Sequence, residues 1–109
     1  MNSSKIENLY KQIEIEWNKN LKKYGVSLPK LKSNGKYTKD ALVLIYLYNK
    51  IGKTVTKSEL TSFVKHFYPG VNDVQQARHL GQQKGWFILS GTRGDIESFT
   101  NILNIQFPF

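Results

Sequence analysis

The sequence predicts a mainly α-helical domain that ends in a small β-hairpin. Through most of the chain, apolar residues recur three or four positions apart, which is the spacing of one helical face. The late segment "WFILSG" is instead rich in aromatic and branched side chains, as strands are. Its glycine also begins the run of turn residues "GTRGD". At 109 residues, of which 39% are hydrophobic and 22% charged, the chain is expected to form one domain over residues 1–109.

Residues 1–25 predict a long amphipathic helix. Ser4 with Glu7 three residues later suits a capping box at its start, and Gly25 can adopt the left-handed conformation that stops a helix. The apolar residues of this segment fall on one face, which must pack on the rest of the domain: Ile6, Leu9, Tyr10, Ile13, Trp17, Leu21 and Tyr24.

A lysine-rich loop and a buried central helix are predicted next. In "VSLPKLKSNGKYT" the residues Pro29, Asn34 and Gly35 break any period, which is typical of a connection. The following run "KDALVLIYLYNKIG" has Thr38 before it as a cap, is apolar nearly all round, and meets a stop at Gly52.

The segment "VTKSELTSFVKHFYPG" predicts a third helix with a well-defined start. Thr56 and Glu59 have the spacing of a capping box, and Val55 and Leu60 occupy the positions of a hydrophobic staple. Pro69 and Gly70 should end the helix, and His66 is expected to be a partly buried structural residue. The core-facing residues of this helix are expected to be Leu60, Phe63, Val64 and Phe67.

The segment "VNDVQQARHLGQQKGW", residues 71–86, predicts a short helix with an amide-rich outer face. Asn72 is its expected cap. If Val74, Ala77, Leu80 and Gly81 point inward, the opposite face presents mainly asparagine and glutamine, with Arg78 and Lys84 at its flanks.

A strand, a turn containing Arg93 and a return strand should follow. Trp86 is the expected apolar anchor beneath them. The return strand has two candidate positions, because "IESFTN" could be a strand or a short helical turn, whereas "ILNIQF" alternates as a strand does.

The charge favours polyanionic partners. Sixteen Lys and Arg against eight Asp and Glu give a formal net charge of +8 and a pI near 9.7, although lysine-rich chains also arise for solubility. Cysteine is absent, and no apolar run reaches the ~20 residues of a membrane span. The start of the chain lacks the pattern of a signal peptide, so a cytoplasmic protein without membrane partners is expected.

The order of elements resembles that of a winged helix-turn-helix domain. The segments that carry the resemblance are "ALVLIYLYNKIG", "VTKSELTSFVKHFYP", "NDVQQARHLGQQKGW" and "FILSGTRGD". It covers Thr38 to about Phe107, so that residues 38–109 would form the winged core behind the N-terminal helix. The pattern is also similar to the winged-helix specificity modules attached to bacterial restriction endonucleases.

The resemblance implies that double-stranded DNA is the partner. The helix over residues 72–84 would enter the major groove, and the wing near Arg93 would touch the backbone or the minor groove. Glutamine and asparagine pair with adenine edges, arginine pairs with guanine, and lysine mainly holds phosphates. Base contacts are expected from Asn72, Gln75, Gln76, Arg78, His79, Gln82 and Gln83. Backbone contacts are expected from Lys57, Ser58, Lys84, Thr92 and Arg93.

No catalytic, cofactor or metal site is predicted. The two histidines are too few for a histidine-rich metal site, and the sequence has no phosphate-cradling glycine loop. The carboxylates are scattered rather than clustered as a nuclease needs: Asp40, Glu59, Asp73, Asp95 and Glu97. In a restriction system, the nuclease chemistry would then reside on another polypeptide or on another part of a longer chain.

Two other functions stay open. The first helix could pair with a second copy of the chain through Tyr10, Ile15 and Trp17, since Ile15 lies off the main stripe and widens the apolar surface. A winged helix can also become a reader of RNA or of modified bases without a visible change in its pattern.

Overall fold

The computed structural model describes residues 1–51, 53–72, 74, 88–93 and 96–101. Residue 54 and the last two ranges are described by their backbone. Helices predominate in these ranges, a long helix stands at the N-terminus, and short antiparallel strands complete the fold. The predicted class, mainly α-helical with a small β element, is confirmed.

The N-terminal helix α1 spans Ser3–Glu16 and continues as a π-helical turn, Trp17–Leu21, and a 3₁₀ turn, Lys22–Tyr24. Gly25 ends this segment with φ of 82°, the left-handed stop that was expected. The changes of pitch rotate the last residues away from the regular helical face. Tyr24 is therefore 59% exposed, and its predicted place on the apolar face is wrong.

The start of α1 also differs from the prediction. The N-cap is Asn2, whose side-chain oxygen accepts a hydrogen bond of 2.9 Å from the backbone N–H of Lys5. Ser4 already lies inside the first turn, so the predicted capping box of Ser4 and Glu7 is wrong. Asn2 stands three residues before Lys5, the spacing that an N-cap needs. Because Lys5 and not a glutamate occupies that position, the cap is a single hydrogen bond and not a capping box.

The central helix α2 spans Lys39–Asn49 and lies between α1 and a later helix that begins at Lys57. Thr38 caps it, because its hydroxyl oxygen accepts a hydrogen bond of 3.1 Å from the Ala41 N–H. Burial nearly all round the helix confirms the predicted central position, with no exposed surface on Ala41, Leu42, Val43, Leu44, Ile45 and Leu47.

The core is formed where α1 and α3, which spans Lys57–Lys65, pack on α2. α1 contributes the predicted Ile6, Leu9 and Ile13, and α3 contributes the predicted trio Leu60, Phe63 and Val64. Val26, Val55 and Val74 complete it. Burial of each Ile or Leu stabilises the fold by about 1.5–3 kcal/mol, so these three helices hold one another in place.

The predicted loop between α1 and α2 contains a β-hairpin. Strand β1, Lys32–Ser33, pairs antiparallel with β2, Lys36–Tyr37. The two connecting residues, Asn34 and Gly35, have φ of 53° and 78°. Positive φ at both positions suits a two-residue turn of the type that Asn-Gly favours, so the prediction of an irregular connection is wrong here.

Helix α3 begins as the sequence predicts and ends earlier. The Thr56 hydroxyl accepts from the Glu59 N–H, and the Glu59 side chain accepts from the Thr56 N–H, which confirms the capping box. The α-helix stops at Lys65, and the chain turns through His66 and Phe67 before it reaches Pro69. Phe67 is half-buried against the core.

Three strands form a second antiparallel sheet in the order β3–β5–β4. β3 is Thr54–Thr56, directly before α3, β4 is Ile88–Arg93, and β5 is Ile96–Asn101. β5 settles the two candidate positions of the return strand in favour of "IESFTN". The strand β3 was not predicted.

Most of the predicted amide-rich helix and Gly52 lie outside the described residues. Val74 is buried, as predicted, and Asn72 is exposed. Within the described ranges, no helix combines the length and the apolar character that a membrane span requires.

Candidate nucleic-acid interface

The register of the three-stranded sheet brings the start of α3 to the same end as the β4–β5 connection. Thr56, the last residue of β3, pairs with Ser98, which pairs on its other side with Gly91. β4 runs two residues further, to Arg93, which pairs with Ile96. The first turn of α3 and the end of β4 therefore lie at one end of the sheet.

The separation of these two features follows from strand geometry. Strands lie about 4.8 Å apart and residues about 3.4 Å apart along a strand, so the Cα atoms of Thr56 and Arg93 are roughly 12 Å apart. This distance does not exceed the ~12 Å width of the major groove of B-DNA, so one duplex can reach both features at once.

The structure places five of the predicted contact residues. Lys57 and Ser58 are the first two residues of α3, Lys57 half-buried and Ser58 exposed. Thr92 and Arg93 are the last two residues of β4, so Arg93 belongs to a strand and not to the turn in which it was predicted. Arg93 pairs with Ile96 of β5, so the strand β4 extends to Arg93. Asn72 is exposed after α3.

The other predicted contacts lie outside the described residues, so their roles stay predictions: Gln75, Gln76, Arg78, His79, Gln82, Gln83 and Lys84. Of the five placed residues, the sheet brings Lys57 and Ser58 to the same end as Thr92 and Arg93. Asn72 follows the other end of α3. Four of the five predicted backbone contacts are thus grouped at one end of the sheet.

A polar network fixes the first turn of α3. Glu59 Oε2 accepts a hydrogen bond of 2.5 Å from the Tyr46 hydroxyl and lies 3.6 Å from Lys50 Nζ. The Tyr46 hydrogen bond holds the pKa of the Glu59 carboxyl below its ordinary value, helped by the Thr56 backbone and the Lys50 charge and opposed by burial. Burial, and then the hydrogen bond to Glu59, raise the pKa of Tyr46 to about 12. Glu59 is therefore an anion at neutral pH whose charge is already balanced inside the protein.

A pocket of about 470 Å³ opens beside this network. Tyr46, Phe63 and Phe67 supply aromatic walls, and Glu59 and His66 supply polar edges. His66 is exposed, so its predicted partial burial is wrong. It is the C-cap residue of α3 and lies next to the exposed Lys65. The polar edge of the pocket is open to solvent. Its lining residues do not indicate a particular class of ligand.

Within the ranges that the structure describes, no group of three or more His, Asp or Glu side chains is placed to hold a metal ion. No protein-family model, no curated protein and no solved structure matches this chain.

Proposed function

We propose that this chain is a winged helix-turn-helix module that binds double-stranded DNA with sequence preference. α2 and α3 are the first two helices of the unit, residues 72–84 form its recognition helix, and β4 with β5 forms its wing. The module reads DNA and performs no catalysis of its own.

The observation that carries this proposal is the order of the β3–β5–β4 sheet, with α3 starting directly after β3. The short strand β3 pairs with β5 of the proposed wing and is followed directly by α3, the second helix of the unit. This arrangement supports a winged helix because it puts the start of that helix and the end of the wing on one side. Both can then contact phosphates while the intervening helix enters the groove.

The chemistry of the grouped residues supports the same reading. Lys57 carries a positive charge at the start of α3, where the backbone N–H groups of a helix N-terminus also favour an anion. Arg93 adds a second charge at the end of β4. Because the Glu59 carboxylate is balanced by Tyr46 and Lys50, it opposes an incoming phosphate less than a free carboxylate would.

The first experiment measures binding of a fluorescent random-sequence duplex over a series of salt concentrations. Affinity should fall steeply with salt, because each phosphate contact contributes a slope of about −0.9 in log K against log salt. A chain that fails to bind duplex DNA even at low salt would contradict the proposal.

The second experiment tests base reading by selection from randomised duplexes. Replacing Gln75, Gln76 and Gln82 by alanine should flatten the selected motif while the affinity for random duplex changes little. The matched control replaces three amides of the N-terminal helical segment, Asn8, Gln12 and Asn18, all exposed. If the wild-type chain selects no motif, it binds DNA without sequence preference, and the proposed reading of bases by residues 72–84 is wrong.

The narrower resemblance to restriction modules suggests a nuclease domain as a partner. A reader of modified DNA or of RNA is a separate alternative, and a competition among unmodified duplex, methylated duplex, single strands and duplex RNA tests it. Preference for a methylated duplex or for RNA would replace the leading proposal with the reader of modified DNA or RNA.

Association through α1 is the second candidate function. Ile15 is 54% exposed on α1, which supports a contact with another chain. However, the Tyr10 hydroxyl donates to the Pro29 carbonyl, and Trp17 Nε1 donates to the Val26 carbonyl, so both rings are engaged inside the domain. Light scattering at high concentration, compared between the wild type and Ile15→Glu, tests homodimer formation.

A further inference from the structure

The β1–β2 hairpin carries a cluster of positive charge. Between residues 30 and 39 the chain has four lysines and no acidic residue. Lys30, Lys32 and Lys36 are exposed, and Lys39 is half-buried. Among the residues whose side chains the structure describes, the acidic groups next to this cluster are Glu7, which lies 4.0 Å from Lys32, and Asp40, the next residue in the chain. Four positive charges against these two negative charges leave +2.

The hairpin is attached firmly to the end of α3. The Tyr68 hydroxyl donates a hydrogen bond to the Tyr37 carbonyl, and the rings of Tyr37 and Phe67 meet edge to face with centroids 5.8 Å apart. Lys39 Nζ also lies 5.1 Å from the centre of the Tyr68 ring. The backbone that carries the lysines of the hairpin is therefore held in place relative to α3.

The base of the hairpin is closed by Thr38. Its N–H donates to the Leu31 carbonyl at 2.9 Å, and its hydroxyl donates to the Lys30 carbonyl at 2.6 Å. The same hydroxyl caps α2 by accepting from Ala41. A charged loop with these connections keeps its shape, so little conformational entropy is lost when it binds a ligand.

The hairpin and the sheet end lie at opposite ends of α3. Thr56 precedes α3 at the sheet, whereas Phe67 and Tyr68 follow it beside the hairpin. A helix rises about 1.5 Å per residue, so the two basic regions are roughly 15–20 Å apart. This separation exceeds the ~12 Å width of the major groove, on whose two sides the phosphate strands run.

We propose that the β1–β2 hairpin binds the phosphate backbone of duplex DNA across the groove from the sheet end that holds the start of α3 and Arg93. The inference rests on the proposed function and adds to it a second point of contact outside the winged unit. Lysines suit this role because they hold phosphates as flexible point charges without reading bases. Of the three exposed lysines, Lys32 lies 4.0 Å from Glu7, and Lys30 and Lys36 stand on either side of the Asn-Gly turn.

The test compares two double variants of the full chain with equal charge change. Lys30→Gln with Lys36→Gln alters the hairpin, and Lys11→Gln with Lys19→Gln alters exposed lysines of the N-terminal helical segment. With one phosphate contact per lysine, the slope of log K against log salt should decrease by about 1.8 for the hairpin variant, roughly a 30-fold loss at 0.15 M salt. The control should keep the wild-type slope.

A second measurement uses the unmodified protein. Acetylation of lysines, followed by mass spectrometry, should show Lys30 and Lys36 protected several-fold when random duplex is added, whereas Lys11 and Lys19 react as before. Circular dichroism of each variant should match the wild type, because all four side chains are exposed.

The outcomes separate the two proposals. If the wild type binds duplex DNA but the hairpin variant keeps the wild-type slope and its lysines stay reactive, the hairpin contact is overturned and DNA binding stands. Equal slopes in the hairpin and control variants, both below the wild type, assign the effect to net charge and also overturn it. If the wild type does not bind duplex DNA, both proposals fail.

Discussion

The Tyr46 hydroxyl donates a hydrogen bond of 2.5 Å to Glu59 Oε2 and thereby joins the middle of α2 to the first turn of α3. The other carboxylate oxygen of Glu59 accepts from the Thr56 N–H at 3.4 Å. Glu59 is therefore both half of a capping box and the polar link between two packed helices. This double role makes the start of α3 sensitive to changes at Tyr46.

Tyr46→Phe should lower the free energy of unfolding by about 1 kcal/mol at neutral pH, since a hydrogen bond to a charged group is lost and the site is partly exposed. The ring should keep its contact with Phe63, whose centroid lies 4.8 Å away. Urea denaturation measures the change. Tyr24→Phe, at a ring that is 59% exposed, is the control and should stay within about 0.5 kcal/mol of wild type.

Glu59 should stabilise the fold less in acid. Its pKa in the folded state lies below the ordinary 4.5, so its contribution is complete above about pH 4.5 and is lost as the pH falls through the folded value. Carbon-detected NMR titration should find the Glu59 carboxyl titrating below 4.5, and Tyr46→Phe should move that titration upward. A Glu59 titration that is identical in the two proteins would show that the Tyr46 hydroxyl is not the main cause.

Two isoleucines of α1 provide a matched test of packing. Ile13 is 1% exposed and Ile15 is 54% exposed, although they are two residues apart on one helix. Ile13→Ala should lower the free energy of unfolding by about 2–4 kcal/mol through lost burial and the remaining cavity, whereas Ile15→Ala should change it by less than about 0.5 kcal/mol. Similar losses for both variants would mean that Ile15 is covered in solution, as association through α1 requires.

The turn of the β1–β2 hairpin requires glycine at position 35. Gly35 has φ of 78°, and no atom lies within 4 Å of the position that an added Cβ would take, so only backbone strain opposes alanine there. Gly35→Ala should cost about 1–2 kcal/mol by that strain. Gly70 has equal space and no left-handed φ, and Gly70→Ala should be neutral or slightly stabilising. Thermal melts of the two variants measure the difference.

Arg93 should contribute one phosphate contact if the wing binds DNA. Arg93→Gln is then expected to decrease the slope of log K against log salt by about 0.9 and to weaken binding to all sequences alike. Lys11→Gln removes the same charge from an exposed residue of α1 and should leave the slope unchanged. A variant of Arg93 that loses affinity for one selected motif only would point to base reading at the wing instead.

Local signals predicted the three described α-helices, although not the cap of α1. Thr38 and Thr56 each precede an apolar run and each cap a helix, because a cap depends only on residues three or four positions away. The hairpin β1–β2 was also within reach, since Asn34 and Gly35 form a known turn signal. Its strands have only two residues each and no apolar alternation, so composition suggested a loop.

The sheet and the candidate interface depend on distant pairing. Thr54 pairs with Thr100 and Val55 with Phe99, and nothing in the residues around 54–56 indicates those partners. The sequence therefore predicted Lys57 and Arg93 as separate phosphate contacts, and only the register places them at one sheet end. The Tyr46–Glu59 link was missed for the same reason, since it crosses between two helices whose packing is tertiary.

The pairing of β3 with β5 also sets an order of events during synthesis. Helices α1, α2 and α3 are complete well before β5 leaves the ribosome, and at ~5–20 residues per second β3 waits on the order of 2–8 s for its partner. A strand with free edge groups invites pairing with neighbouring nascent chains. Lys53 and Lys57 flank β3 on both sides, and their mutual repulsion between copies would protect the waiting strand from aggregation.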